Sequence, residues 1–289
     1  MTHGLGVTVV SEKVTQGQGP VEPSFVPSGP RLARRLAVLG DSTAVGLGDP
    51  LPGGAWRGVG PLVADALGVG DGGYVNLSFT GARMHCVLAD QLPGALAHRP
   101  DVTLIVVGMN DTLRSDFSAP AIEADLDKIV VELTAAGSLA IPVRFHDHGK
   151  VFRLPGPLKR ALSARVAELN EVIDTVVARR GVPCLDLVSL PGAYDLTAWS
   201  VDRLHPSELG HRMLARGFAE LIEGAGFTVP DPVSLTCSGG LEPGAAQHLG
   251  WLVFKGIPWL CRRGADFLPY AAAIIARSFA ESARRRLPR

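Results

Sequence analysis

Short apolar runs alternate with helical patterns from residue 35 onward, and this alternation constrains the fold more than any other feature. The runs are short enough and apolar enough to be strands buried on both faces: 35–40, 74–79, 102–107, 138–145 and 183–187. Helical patterns separate or follow them, at 56–67, 83–92, 121–136, 158–180 and 206–223. In the last of these, we expect Pro206 in the first helical turn, where its missing N–H costs nothing. Strands alternating with helices are typical of a parallel sheet covered on both faces, so the sequence predicts an α/β fold.

Changes in composition divide the chain into three parts. Residues 1–34 mix Gly, Pro, Ser and Gln without a helical or strand period, which predicts a flexible tail. Residues 35–228 carry the alternating pattern and form the expected α/β domain. Residues 229–289 begin with a Pro- and Gly-rich linker and continue as one or two amphipathic helices.

Charge and cysteine usage exclude several classes of protein. Lys plus Arg and Asp plus Glu are balanced at 28 each, so no overall positive field favours nucleic acid as a partner. The first residues lack the pattern of a secretory signal and no run is long enough to span a membrane, which predicts a cytoplasmic location. The four cysteines form no CxxC pair, which favours free thiols over a zinc site.

The carboxy-terminal extension has two interpretations. Its aromatic and aliphatic side chains can pack against the α/β domain, as amphipathic helices commonly do. Alternatively, Trp251, Trp259 and the arginines at 284–286 can make peripheral contact with a membrane surface. The oligomeric state is not predicted.

The first strand ends in a turn that contains a candidate nucleophile. Gly40, Asp41 and Ser42 follow the strand directly, and side chains at the carboxyl end of a parallel strand face the crevice where such sheets bind ligands. Glycine lets the backbone bend there, and backbone N–H groups at such a turn can face a developing oxyanion. On its own, the segment could equally be a phosphate-binding turn or an ordinary loop.

The next two strands bring polar groups to the same edge. Gly81 follows the second strand, and Asn110 follows the third. A backbone N–H and a side-chain amide can therefore converge near the hydroxyl of Ser42. The alternative for Asn110 is a helix N-cap or turn former.

A base for the serine lies before the last helix. Asp202 precedes His205 by three residues, close enough in a turn to accept the Nδ1 proton and leave Nε2 facing the serine. The alternative is that Asp202 caps a turn and His205 merely precedes the helix.

Four segments resemble, in order, the sequence blocks of the SGNH (GDSL-like) hydrolases. They are GDST at 40–43, the glycine at position 81, GMND at 108–111 and DRLHP at 202–206. The resemblance covers residues 35–223. It implies a three-layer α/β/α sandwich with a five-stranded parallel sheet of flavodoxin-like order.

The resemblance also implies a serine esterase that hydrolyses acyl esters through an acyl-enzyme intermediate. Ser42 would attack the carbonyl, His205 would act as general base and then general acid, and Asp202 would orient His205. The N–H groups of Ser42 and Gly81 and the side-chain amide of Asn110 would form the oxyanion hole. No cofactor or metal is implied, and the expected partner is a small acyl ester.

Substrate recognition is less well determined by the sequence. We predict that Asp41, Asp111 and His146 bind substrate and that loops line the pocket at 47–57, 113–119 and 146–157. Carbohydrate acetylesterase, lysophospholipase and thioesterase activities all suit the same machinery. A metal site at His146, Asp147 and His148 would need a fourth ligand at suitable spacing, which the sequence does not indicate. A non-catalytic nucleotide- or flavin-binding module is the alternative class, although the first turn has neither of the usual glycine motifs.

Overall fold

The computed structural model describes residues 31–151 and 156–241, together with Ala272. A five-stranded, all-parallel sheet lies at its centre in the order β2-β1-β3-β4-β5. The strands are β1 (Leu36–Gly40), β2 (Tyr74–Asn76), β3 (Val102–Val106), β4 (Leu139–Arg144) and β5 (Leu185–Asp186). All residues of β1 and β3 are buried, as expected for central strands covered on both faces.

Helices cover both faces of the sheet. They are α1 (Ser42–Val45), α2 (Val59–Leu67), α3 (Met84–Cys86), α4 (Leu92–His98), α5 (Met109–Thr112), α6 (Ala119–Ala135), α7 (Gly156–Arg180) and α8 (Glu208–Gly224). Helix α2 contacts α8, whereas α6 contacts both α4 and α7. The result is the expected three-layer α/β/α sandwich with flavodoxin-like strand order. No helix in this part of the chain combines the length and apolar character that crossing a bilayer requires.

Three helices differ from the sequence prediction, and the first of them, α2, begins at Val59 rather than at residue 56. The pattern at 83–92 continues to His98, through a π-helical turn at Val87–Gln91 that leads into α4. Pro93 lies in the first turn of α4, where its missing N–H is tolerated. The prediction that Pro206 occupies the first turn of the last helix is wrong. Ser207 is the N-cap of α8 and accepts a hydrogen bond from the Gly210 N–H, so Pro206 lies outside the helix.

The packed unit extends beyond residues 35–228 at both ends. Arg31 forms an isolated parallel bridge with Phe227, and Val233 is buried while its carbonyl accepts hydrogen bonds from Arg216 on α8. Residues just outside 35–228 therefore contact the α/β unit at both ends. Most of the predicted tail, and all of 242–289 except Ala272, lie outside the described residues.

Candidate active site

The turn that positions Ser42 requires glycine at position 40. Gly40 has φ +150°, and a Cβ there would lie 2.1 Å from the carbonyl oxygen of Val106 on β3. The next residue, Asp41, caps α1 by accepting a hydrogen bond from Thr43 N–H at 3.0 Å. Ser42 is the first residue of α1, so its N–H has no acceptor within that helix. The end of β1 thus presents both the hydroxyl and the N–H of Ser42 at the carboxyl edge of the sheet.

A buried glutamine, which the sequence analysis did not identify, holds the same strand end. Gln91 Oε1 accepts from Gly40 N–H at 2.7 Å, and Gln91 Nε2 donates to the Gly40 carbonyl at 2.9 Å. The side chain therefore pairs with Gly40 as a neighbouring strand would, beyond the point where β2 ends at Asn76. No sequence motif identifies Gln91. It lies 51 positions from Gly40, and a π-helical turn brings it to the end of β1.

His205 lies against Ser42 and Asp202 in the described structure. Its Nε2 is 2.8 Å from Ser42 Oγ, and its Nδ1 is 2.7 Å from Asp202 Oδ2. The loop closes tightly because Arg203 adopts left-handed φ of 54°, a conformation that costs a non-glycine residue about 1–2 kcal/mol. Both the imidazole and the carboxylate are largely buried.

Asp202 is held by four donors. Its Oδ1 accepts from the Leu204 N–H at 2.8 Å, the His205 N–H at 3.0 Å and the Ser200 hydroxyl at 2.9 Å, while Oδ2 faces His205 Nδ1. Burial alone would raise the pKa of this carboxyl group, but the hydrogen bonds and charge of His205 and the backbone N–H groups outweigh burial. The net effect is a lowered pKa, so Asp202 is ionised at neutral pH.

Gly81 and Asn110 line the same cavity as Ser42. Gly81 has φ +84°, in the left-handed region that favours glycine. Asn110 is buried, and its Nδ2 donates to the Ala82 carbonyl at 3.1 Å and to Asp41 Oδ2 at 3.2 Å. Three strand ends therefore deliver Ser42, Gly81 and Asn110 to one cavity.

The two carboxylates predicted to bind substrate occupy different places. Asp41 lines the cavity, and burial raises its pKa to about 6 despite hydrogen bonds from Thr43 and Asn110. The structure does not place Asp111 on the cavity wall. Its carboxylate accepts from Met84 N–H at 3.1 Å, and burial raises its pKa to about 7. These contacts indicate that Asp111 anchors the start of α3.

The cavity beside Ser42 has a volume of about 390 Å³ and a mainly apolar lining. The predicted loops contribute Leu47, Trp56 and Leu113. A larger wall, which was not predicted from the sequence, is formed by the segment that follows β5 and by the first turns of α8. Its lining side chains are Leu187, Leu190, Ala193, Ala198, Trp199, Leu204, Met213 and Leu214. The apolar residues at 187–199 are the one signal that could have indicated it.

His146 also lines this cavity, as does His148. The two imidazoles stack with ring centroids 4.1 Å apart, beside the indole of Trp199. His146 thus lies within the apolar wall of the cavity.

The strand order and the serine at the carboxyl edge of the sheet define an SGNH hydrolase fold. The model of the GDSL-like Lipase/Acylhydrolase family matches residues 38–213, which is more than half of the chain. The chain therefore belongs to this family, and it is an SGNH-type carboxylic ester hydrolase. No curated protein matches its sequence.

Solved structures with the same fold include a lipase/acylhydrolase and two esterases. A lipase/acylhydrolase from Enterococcus faecalis is 23% identical, covers 66% of this chain and 96% of its own, and has a TM-score of 0.51. The acetylxylan esterase Axe2 from Geobacillus stearothermophilus is 21% identical over 67% and 95%, with a TM-score of 0.52. The psychrotrophic esterase EstA from Pseudoalteromonas sp. is 18% identical over 66% and 98%, with a TM-score of 0.50. At these identities the similarity concerns the fold.

Proposed function

We propose that this esterase cleaves acyl esters through an acyl-enzyme intermediate formed on Ser42. The observation that carries the proposal is the continuous contact from Ser42 Oγ to His205 Nε2, at 2.8 Å, and from His205 Nδ1 to Asp202, at 2.7 Å. With Nδ1–H donated to the ionised Asp202, Nε2 is free to accept the serine proton. His205 then returns that proton to the leaving alcohol, and water releases the acyl group by the same steps.

We assign the oxyanion hole to the Ser42 N–H, the Gly81 N–H and the Asn110 side-chain amide. The lack of an intrahelical acceptor for Ser42 N–H and the shared cavity support this assignment. Both hydrogens of Asn110 Nδ2 already face acceptors, so Asn110 must share or exchange its longer bond, to Asp41, when it stabilises the oxyanion.

The cavity favours an ester with an apolar chain over an acetyl ester. Its volume lies near the lower end of ligand-binding pockets, which hold about 300–1,000 Å³, and its walls are mainly aliphatic and aromatic. Each methylene buried there contributes about 0.8 kcal/mol. We therefore expect kcat/KM for p-nitrophenyl esters to rise from acetate to hexanoate.

A fluorophosphonate probe tests the assignment of the nucleophile and base. We expect the probe to label the intact protein at Ser42, and Ser42→Ala and His205→Ala to abolish or greatly slow labelling. His85→Ala is the matched control, because His85 is an exposed histidine outside the cavity lining. Labelling that persists in Ser42→Ala, or a folded wild-type protein that does not react, would exclude the proposed mechanism.

Two further sequence-based expectations stay predictions. They are the cytoplasmic location and the peripheral membrane contact of the extension at 229–289, most of which lies outside the described residues.

A further inference from the structure

Two imidazoles interrupt an otherwise apolar part of the cavity. Away from the cluster around Ser42, the described lining consists of aliphatic and aromatic side chains apart from His146 and His148. The indole N–H of Trp199 is already donated to the Ala193 carbonyl at 2.9 Å. The histidines therefore supply the hydrogen-bonding side chains of this wall.

The turn that carries the two histidines is firmly held. The side chain of Asn170 pairs with both the N–H and the carbonyl of Phe145, at 2.9 and 2.8 Å. Asp147 Oδ1 accepts hydrogen bonds from Gly149 N–H and the Ser163 hydroxyl. With the backbone fixed on both sides of residue 146, the imidazole of His146 is presented as a preorganised group.

The chemistry of His146 is that of an uncharged donor and acceptor. Burial lowers its pKa to about 4, and burial together with His146 holds the pKa of His148 well below its usual value. A neutral imidazole has one N–H donor and one bare nitrogen acceptor.

Both ring nitrogens of His146 are buried and have no hydrogen-bond partner among the described residues. Leaving such a group unsatisfied costs about 1–3 kcal/mol, which an apolar residue in this wall would avoid.

We propose that His146, stacked on His148, is a specificity-determining residue that binds a hydroxyl group on the chain of the ester inside the cavity. This inference rests on the proposed function, since it assumes that the chain of the substrate enters the cavity from Ser42. A hydroxyl both donates and accepts, which matches a neutral imidazole. A carboxylate does not fit, because the described cavity lining contains no Lys or Arg to compensate the loss of its hydration.

Matched pairs of esters test the inference and distinguish the two sides of the ester bond. On the acyl side, p-nitrophenyl hexanoate is compared with its 3-hydroxy and 6-hydroxy derivatives. On the alcohol side, hexyl hexanoate is compared with 6-hydroxyhexyl hexanoate. We expect kcat/KM to be about three- to tenfold higher for the hydroxylated ester on one side, the range that one neutral hydrogen bond supports.

His146 variants assign that preference to the residue. His146→Phe should abolish the preference, mainly by improving turnover of the plain ester, whereas His146→Asn should keep part of it. His85→Phe makes the same replacement at an exposed position and should leave the preference unchanged. Equal kcat/KM within every pair, or a preference that survives His146→Phe, overturns the proposal.

A binding measurement separates failure of this inference from failure of the proposed function. Tryptophan fluorescence can follow hexane-1,6-diol and hexan-1-ol, because Trp56 and Trp199 line the cavity. Relative to hexan-1-ol, the diol should bind the wild type more tightly than it binds His146→Phe. If the fluorophosphonate does not label Ser42, the proposed function fails, and the diol comparison still decides the role of His146. Normal labelling with no discrimination refutes the hydroxyl site alone.

Discussion

Replacement of Asp202 by asparagine should place the wrong tautomer of His205 at the nucleophile. Three donors surround Oδ1, namely the Ser200 hydroxyl and the N–H groups of Leu204 and His205, all within 3.0 Å. In Asp202→Asn the amide oxygen must keep this position, because an amide nitrogen there would face donors. The amide N–H₂ is then directed at His205 Nδ1, which must accept. The imidazole proton moves to Nε2 and points at Ser42 Oγ.

The loss of activity should be large and the loss of stability small. A histidine with its proton on Nε2 cannot accept the serine proton, and the equivalent replacement in Ser-His-Asp enzymes lowers kcat about 10⁴-fold. At about 1.4 kcal/mol per tenfold change, this is about 5–6 kcal/mol in activation free energy. The three hydrogen bonds to Oδ1 survive and the fourth is reversed in direction, so the midpoint of thermal unfolding should change by only a few degrees.

Steady-state hydrolysis of p-nitrophenyl hexanoate at pH 8 provides the assay. Asp195→Asn is the matched control, since Asp195 is an exposed aspartate in the segment that precedes this loop and should tolerate the change. If folded Asp202→Asn keeps kcat within tenfold of the wild type, the carboxylate does not set the tautomer and the reasoning is refuted.

Three other variants probe the surroundings of Ser42. Asn110→Ala should lower kcat about 10²–10³-fold with little change in KM, and an effect confined to KM in steady-state assays would contradict an oxyanion role. Gln91→Leu leaves the N–H of Gly40 without a partner, while the Gly40 carbonyl keeps the Phe79 N–H at 3.3 Å, and it should lower the free energy of unfolding by about 1–3 kcal/mol in urea denaturation. A change below about 0.5 kcal/mol would show that the pairing is dispensable. The pKa of Asp111 is raised to about 7, so its ionisation opposes folding increasingly as pH rises from about 4 to 7. Asp111→Asn should therefore gain stability relative to the wild type between pH 5 and pH 8, by at most about 3 kcal/mol over that interval, and a stability difference from the wild type that is the same at both pH values would exclude this penalty.

The sequence predicts the fold well because the fold depends on local signals. The five strands are visible in the sequence as short apolar runs, and each is followed by glycine or polar residues that the parallel arrangement must bring to one edge. Ser42 and Asn110 could be placed at that edge in this way, and both line the cavity. Asp202 and His205 could be paired because only two residues separate them in sequence.

The remaining parts of the site depend on contacts that no local pattern encodes. Gln91 reaches Gly40 because Pro93 and a π-helical turn set the direction of the chain into α4. The wall at 187–214 closes over the cavity because Trp199 pairs with Pro206 and the segment packs against α8. The sequence around Asp111 resembles that of a site residue, yet its carboxylate accepts a hydrogen bond from the N–H of Met84, the first residue of α3. Each of these outcomes requires the packing of distant elements to be known first.

Hydrogen-bond donors explain which carboxylate serves as the partner of the imidazole. Asp41, Asp111 and Asp202 are all largely buried near Ser42, and burial is the largest influence on the pKa of each. Asp111 receives one backbone N–H and Asp41 receives two donors, too few to offset burial, so both pKa values rise. Asp202 receives four donors, and its pKa falls. Acidification to about pH 6 therefore protonates much of Asp41 and Asp111 while Asp202 remains charged. Asp41 is adjacent to the serine in sequence, but only the loop at 200–205 supplies the donors that keep a buried carboxylate ionised beside His205.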